Sequence, residues 1–117
     1  MKESILKNKS YDFALSIVAL YKALSKEKKE FVLSKQLLKS GTSIGANIRE
    51  AEFAQSTKDF ISKMSIALKE ANETEYWLSL LKDSKYIDSN QFKNLNKLNI
   101  ELIKMLVSTI NTLKSKL

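Results

Sequence analysis

Cysteine, histidine and proline are all absent from the 117-residue sequence, and glycine occurs only at positions 41 and 45. Without cysteine there is no disulfide, no thiolate metal site and no cysteine nucleophile. Without histidine the usual general base and the commonest zinc ligand are missing. A chain this poor in turn-forming residues is hostile to tight β-turns and points to long helices. Long apolar runs are lacking too: no uncharged stretch exceeds nine residues, the length of Phe13–Tyr21, Ser40–Ile48 and Met105–Leu113. A bilayer span needs about 20, so no transmembrane segment is expected. Lys2, Lys7 and Lys9 precede an apolar run as in a secretory leader. Asp12 and Ser16 interrupt that run, however, and Lys22 stands where a small-residue cleavage site belongs, so cytoplasmic residence is the expectation.

What is present fits one soluble globular domain over residues 1–117, with 44% hydrophobic and 28% charged residues. Twenty Lys and Arg against thirteen Asp and Glu give a net charge of +7, which attracts polyanions and makes nucleic acid the leading partner class. Only Arg49 among those cations is arginine. Lysine favours diffuse phosphate contact over bidentate reading of base edges, so weak sequence selectivity is expected. Lysine richness that serves solubility alone is the competing explanation.

Apolar spacing divides the chain into four helices. Phe13, Ile17, Leu20 or Tyr21, and Leu24 form the first, over about residues 10–25, with Ser10 as N-cap. The charged stretch Ser25–Glu30 leads out of it. Leu33, Leu37, Gly41, Ile44, Ile48 and Ala51 form a heptad-like seam on a second helix over about 29–55. Ser56 with Asp59 resembles a capping box that opens a third helix, whose stripe Phe60, Met64, Ala67, Ala71, Thr74, Leu78 and Leu81 runs to about Ser84. Asp88 with Gln91 is a second capping box, opening a fourth helix over about 89–116. Short links predict an all-α, antiparallel up-down-up-down four-helix bundle.

The fourth helix is more apolar than one bundle core needs. Leu95, Leu98, Leu102, Leu106 and Leu113 make one stripe, and Ile100, Ile103, Val107 and Ile110 make another beside it. The second stripe predicts contact with another copy of the chain, joined by Trp77, although a small bundle wrapping one wide face would also account for it.

Several residue groups suggest chemistry and then lose it on spacing. Gly41-Thr-Ser-Ile-Gly45 lacks the ending of a phosphate loop and sits within a helical pattern; two glycines one turn apart fit close approach of a neighbouring helix better. Glu70, Glu73 and Glu75 would need Glu-x-x-His partners to build a di-metal bundle site, and there is no histidine. No catalytic residue, metal, cofactor or small-molecule substrate is expected. Lys39, Ser43, Asn47 and Glu50 form a polar row beside the second seam, either solvated or partly buried and register-fixing. Positive charge gathers on the first and fourth helices: residues 1–40 carry +5, residues 41–80 −2 and residues 81–117 +4. Lys22, Lys26 and Lys29 would line one row and Lys93, Lys97 and Lys104 another, which an antiparallel bundle could set side by side as a polyanion groove.

The segments Lys39-Ser-Gly-Thr-Ser-Ile-Gly-Ala-Asn-Ile-Arg-Glu-Ala51 and Ala67-Leu-Lys-Glu-Ala-Asn-Glu-Thr-Glu-Tyr-Trp-Leu78 closely resemble the four-helix-bundle family named for proteins encoded in 23S rRNA intervening sequences. The family's Ser-Ile-x-x-Asn-Ile-x-Glu core falls on Ser43, Ile44, Asn47, Ile48 and Glu50, while Lys39 and Ala51 replace a frequent Arg and a frequent Gly. The resemblance implies a ring-shaped homopentamer. The family is also similar to the accessory variability protein of diversity-generating retroelements, a basic pentamer linked to nucleic-acid handling. The expectation is therefore a non-catalytic homo-oligomer that binds RNA or DNA backbones, with a protein-interaction scaffold as the alternative.

Overall fold

The computed structural model describes residues 2–117, with side chains from residue 4 onward. Among the described residues there are four helices and no strand: α1 (Lys2–Glu27), α2 (Leu33–Ala51), α3 (Thr57–Asp83) and α4 (Ser89–Lys114). Five-residue links leave no length for a crossover, so successive helices turn back on one another. Each packs along the next, and α4 closes against α1 along a narrower strip. The result is an all-α four-helix bundle measuring 47 × 22 × 21 Å.

The predicted stripes turn inward. Phe13, Ile17 and Leu24 from α1, Leu37 and Ile44 from α2, Met64, Leu78 and Leu81 from α3, and Leu102 and Leu106 from α4 are all buried in one core. Both glycines lie where α1 crosses α2. A Cβ on Gly41 would come within 2.9 Å of Ile17 Cγ1, and one on Gly45 within 3.3 Å of Ser10 Oγ. Their missing side chains let the two backbones close together.

The helix ends depart from expectation in three places. Helix α1 begins at Lys2, well before residue 10, because Leu6 continues the core stripe one heptad ahead of Phe13 and is fully buried. Ser10 is thus no cap; it is buried mid-helix and donates to the Lys7 carbonyl at 3.0 Å. Helix α2 begins at Leu33, not 29, since Lys29 takes a positive φ of 56° that ends α1 and turns the chain. At its far end α2 closes at Ala51, four residues early, where the Glu52, Phe53 and Ala54 N–H groups donate to Arg49, Glu50 and Ala51 carbonyls and tighten the turn.

The two expected caps are in place. Ser56 Oγ accepts from the Asp59 N–H at 3.0 Å, while the Asp59 carboxylate reaches back to the Gln55 N–H, one residue further than a standard box. Asp88 and Gln91 form the full reciprocal box. Helix α3 ends in a Schellman arrangement, with Tyr86 N–H donating to Leu81 O and Lys85 N–H to Lys82 O. Lys85 holds the left-handed position there, at φ 71°.

Candidate nucleic-acid interface

The lysines singled out from the sequence are all exposed, but they do not form one groove. Lys22 and Lys26 lie on the outer face of α1, whereas Lys29 lies past its end, so the three make no continuous helical row. Lys93, Lys97 and Lys104 do share the outer face of α4. The register of the antiparallel pair is visible in Lys9 and Glu101, 4.0 Å apart, and in the crevice where Asp12 and Ser16 meet Leu98 and Leu102. That register puts the start of α1 beside the end of α4. Lys22 and Lys26 therefore sit at the level of the α3–α4 turn, and Lys104 lies toward the opposite end of the bundle. Antiparallel packing staggers the two rows instead of pairing them.

At the α1 C-terminal end the structure brings together lysines that sequence spacing does not flag. Lys28 and Lys85 rim a cleft of about 340 Å³ over Leu20, Leu24 and Ile87, facing Glu27 and Asp88. Opposite charges balance on that rim. None of Lys22, Lys26, Lys29, Lys93, Lys97 and Lys104 makes an ion pair, in contrast to Lys7, Lys9, Lys63 and Lys82.

A second cleft, of about 450 Å³, opens between α1 and α2 and is lined by Lys7, Asn8, Tyr11, Asp12 and Arg49. Tyr11 is 57% exposed, and Arg49 is exposed without an ion pair. Lys7 is held by Glu52 at 2.8 Å. Charge composition singled out Arg49 as the one guanidinium; its pairing with an aromatic on α1 depends on which faces of α1 and α2 adjoin, which the helical pattern alone does not reveal.

The motif residues divide by face. Ile44 and Ile48 are buried core. On the polar row, Ser43 Oγ donates to the Lys39 carbonyl at 2.6 Å and Asn47 Nδ2 to the Ser43 carbonyl at 2.8 Å, so both half-buried groups are satisfied within their own helix. Glu50 is exposed and lies 3.8 Å from Lys63 of α3. Across from this row, burial together with neighbouring Glu73 raises the Glu70 carboxyl above its ordinary range, against the opposing pull of Lys69 and Lys39.

The polar contacts inside the bundle involve other residues. Thr74, expected as part of an apolar stripe, has its hydroxyl 3.0 Å from Ser40 Oγ and 2.8 Å from the Glu70 carbonyl. Asn99 is fully buried and donates to the Ala71 carbonyl at 2.8 Å, leaving its own Oδ1 without a partner.

The second apolar stripe of α4 is narrower than its sequence implies. Ile110 is buried with Leu102 and Leu106, so it belongs to the core of the bundle and not to a free face. Trp77, Ile100 and Ile103 are half-buried, and Tyr76 meets Trp77 edge-on at 5.0 Å. Val107 at 38% and Leu98 at 40% exposure remain open to solvent on either flank. Among the described residues no group of three or more acidic side chains is placed to hold a metal ion, and no helix is long and apolar enough to cross a membrane.

Comparison with known proteins gives a family and solved structures that the chain is similar to. The family model described as 23S rRNA-intervening sequence protein matches residues 2–108. The crystal structure of a protein with unknown function from the S23 ribosomal protein family of Bacteroides thetaiotaomicron VPI-5482, at 1.70 Å resolution, is 59% identical. The alignment covers 95% of this chain and 99% of that one, with a TM-score of 0.94. No curated protein matches.

Proposed function

The chain belongs to the 23S rRNA-intervening sequence protein family, and from that membership we propose a non-catalytic, basic homo-oligomer, a pentameric ring, that binds RNA or DNA in the cytoplasm. Binding runs through the phosphate backbone with little sequence preference. The observation that carries this reading is the set of six exposed lysines without ion pairs, Lys22, Lys26, Lys29, Lys93, Lys97 and Lys104, on a chain of net charge +7. Unpaired ammonium groups are free to displace counterions from phosphates. The staggered rows favour a polyanion lying along the bundle over one held in a single groove, and repetition around a ring multiplies weak contacts.

Assembly is supported by the apolar surface left open on α4, where Val107 is exposed beside half-buried Ile100 and Ile103. The same surface favours the second reading, a protein-interaction scaffold with its lysines serving solubility.

Salt-dependent binding tests the proposal. Neutralising about four phosphates gives a slope of log K against log salt of about −3 to −4. Undetectable binding at low ionic strength, or binding indifferent to salt, rejects it. Native mass of the nuclease-treated particle tests the assembly: a 13.3 kDa species rejects the ring. Co-purification with a defined protein and no nucleic acid favours the scaffold.

A further inference from the structure

We propose that the cleft between α1 and the end of α2 is a subsite for an unpaired nucleotide, with the Tyr11 ring stacking on the base and the Arg49 guanidinium holding the adjoining phosphate. This rests on the nucleic-acid reading above and narrows it to single-stranded segments.

Three observations carry it. The cleft is an open groove of about 450 Å³, which matches the size of small-ligand sites and so of one nucleotide. Tyr11 stands 57% exposed, and among the described residues its hydroxyl has no hydrogen-bond partner, so more than half of the side chain is open to a ligand. Arg49 is the only guanidinium among twenty cations, exposed and unpaired, whereas the neighbouring Lys7 charge is answered by Glu52 at 2.8 Å. A phosphate entering this cleft therefore meets Arg49 as its free cation, and a planar guanidinium grips phosphate oxygens in a bidentate fork.

The polarity of the lining orients the ligand. Asp12 and Asn8 lie on the α1 side with Tyr11. The carboxylate repels phosphate and accepts from exocyclic amino groups, so the base is directed toward α1 and the phosphate toward α2. Leu15, one turn beyond Tyr11 and 54% exposed, extends the apolar strip for a following base. Stacking on an aromatic ring needs a base free of its helix, whereas lysine contacts to phosphate do not distinguish strands from duplexes.

The test compares a short fluorescently labelled RNA strand with the duplex of the same sequence, using the full chain and its variants. Tyr11→Ala is expected to weaken single-strand binding about ten- to a hundredfold and duplex binding hardly at all. Tyr11→Phe keeps the ring and should retain affinity; Arg49→Gln should weaken the strand as Tyr11→Ala does. The control removes Lys93, Lys97 and Lys104 together by substitution to Gln and should weaken strand and duplex alike. If Tyr11→Ala changes neither, or both equally, while the lysine variant still weakens binding, the subsite is overturned and the nucleic-acid reading stands. If the unaltered protein binds no RNA at low salt, both fall. A Tyr11→Ala particle of altered native mass assigns this face to contact between copies and overturns the subsite.

Discussion

The Glu30 carboxylate accepts the Ser34 N–H at 2.7 Å, and the Ser34 hydroxyl donates back to the Glu30 carbonyl at the same distance. The same carboxylate accepts from Val32 at 2.9 Å and Leu33 at 3.1 Å, so one buried side chain closes the first turn of α2, where Val32 offers no capping group. Burial by itself would raise this carboxyl. Donation from the Ser34, Leu33 and Val32 N–H groups outweighs it and leaves the group below its ordinary value of 4.5.

Because the folded state lowers this pKa, the stability that Glu30 contributes is fully present above the ordinary carboxylate range. It is lost as pH falls through the lowered folded value. Glu30→Gln is expected to cost about 1–2 kcal/mol at neutral pH and to make the acid limb of stability shallower. Urea midpoints followed by Trp77 fluorescence across that range measure it, and an unchanged acid limb would refute the assignment.

Gly41→Ala pits helix propensity against packing. The methyl gains about 1 kcal/mol of propensity, yet it lands 2.9 Å from Ile17 Cγ1 and 3.0 Å from Ile17 Cγ2. Overpacking of this kind costs about 1–3 kcal/mol, so a net loss of about 1 kcal/mol is expected. The double variant with Ile17→Ala should lose less than the sum of the two single changes, as a thermodynamic cycle of denaturation midpoints would record.

Lys85→Gly should stabilise the protein. A side chain at φ 71° carries a left-handed penalty of about 1 kcal/mol, partly offset by the freedom glycine adds to the unfolded chain. A gain of about 0.5 kcal/mol in chemical denaturation is expected. A loss would mean that the Lys85 side chain holds the cleft it shares with Lys28.

Asn99 leaves one buried acceptor unpartnered while its amide donates to Ala71, a carbonyl within α3. The Ala71 carbonyl lies inside α3 and keeps its helical N–H donor, so an apolar side chain of similar size at position 99 strands no partner and removes one unsatisfied acceptor. Asn99→Leu is therefore expected to raise stability by up to about 1 kcal/mol. If its thermal midpoint falls instead, Asn99 is needed to set the register of α3 against α4.

Much of the architecture was legible because periodicity and cap chemistry are local. The α3 stripe, the Ser56 cap and the Asp88–Gln91 box were each visible within a few residues, and so was the role of two glycines one turn apart. Less of the site was legible. Ser10 carried the signature of a cap, but burial of Leu6 carried the helix through it. Ile110 looked like surplus apolar surface until the breadth of the α4 contact enclosed it.

The sequence by itself determined four helices, one core and a positive exterior, since these follow from composition and from the 3.6-residue repeat. Tertiary packing alone decided which lysines neighbour one another, that Glu30 caps α2, and that Tyr11 shares a cleft with Arg49. Those relationships depend on the rotation and register of each helix against the next, to which close contact of Gly41 and Gly45 with α1 contributes for the first pair and which no single helix encodes.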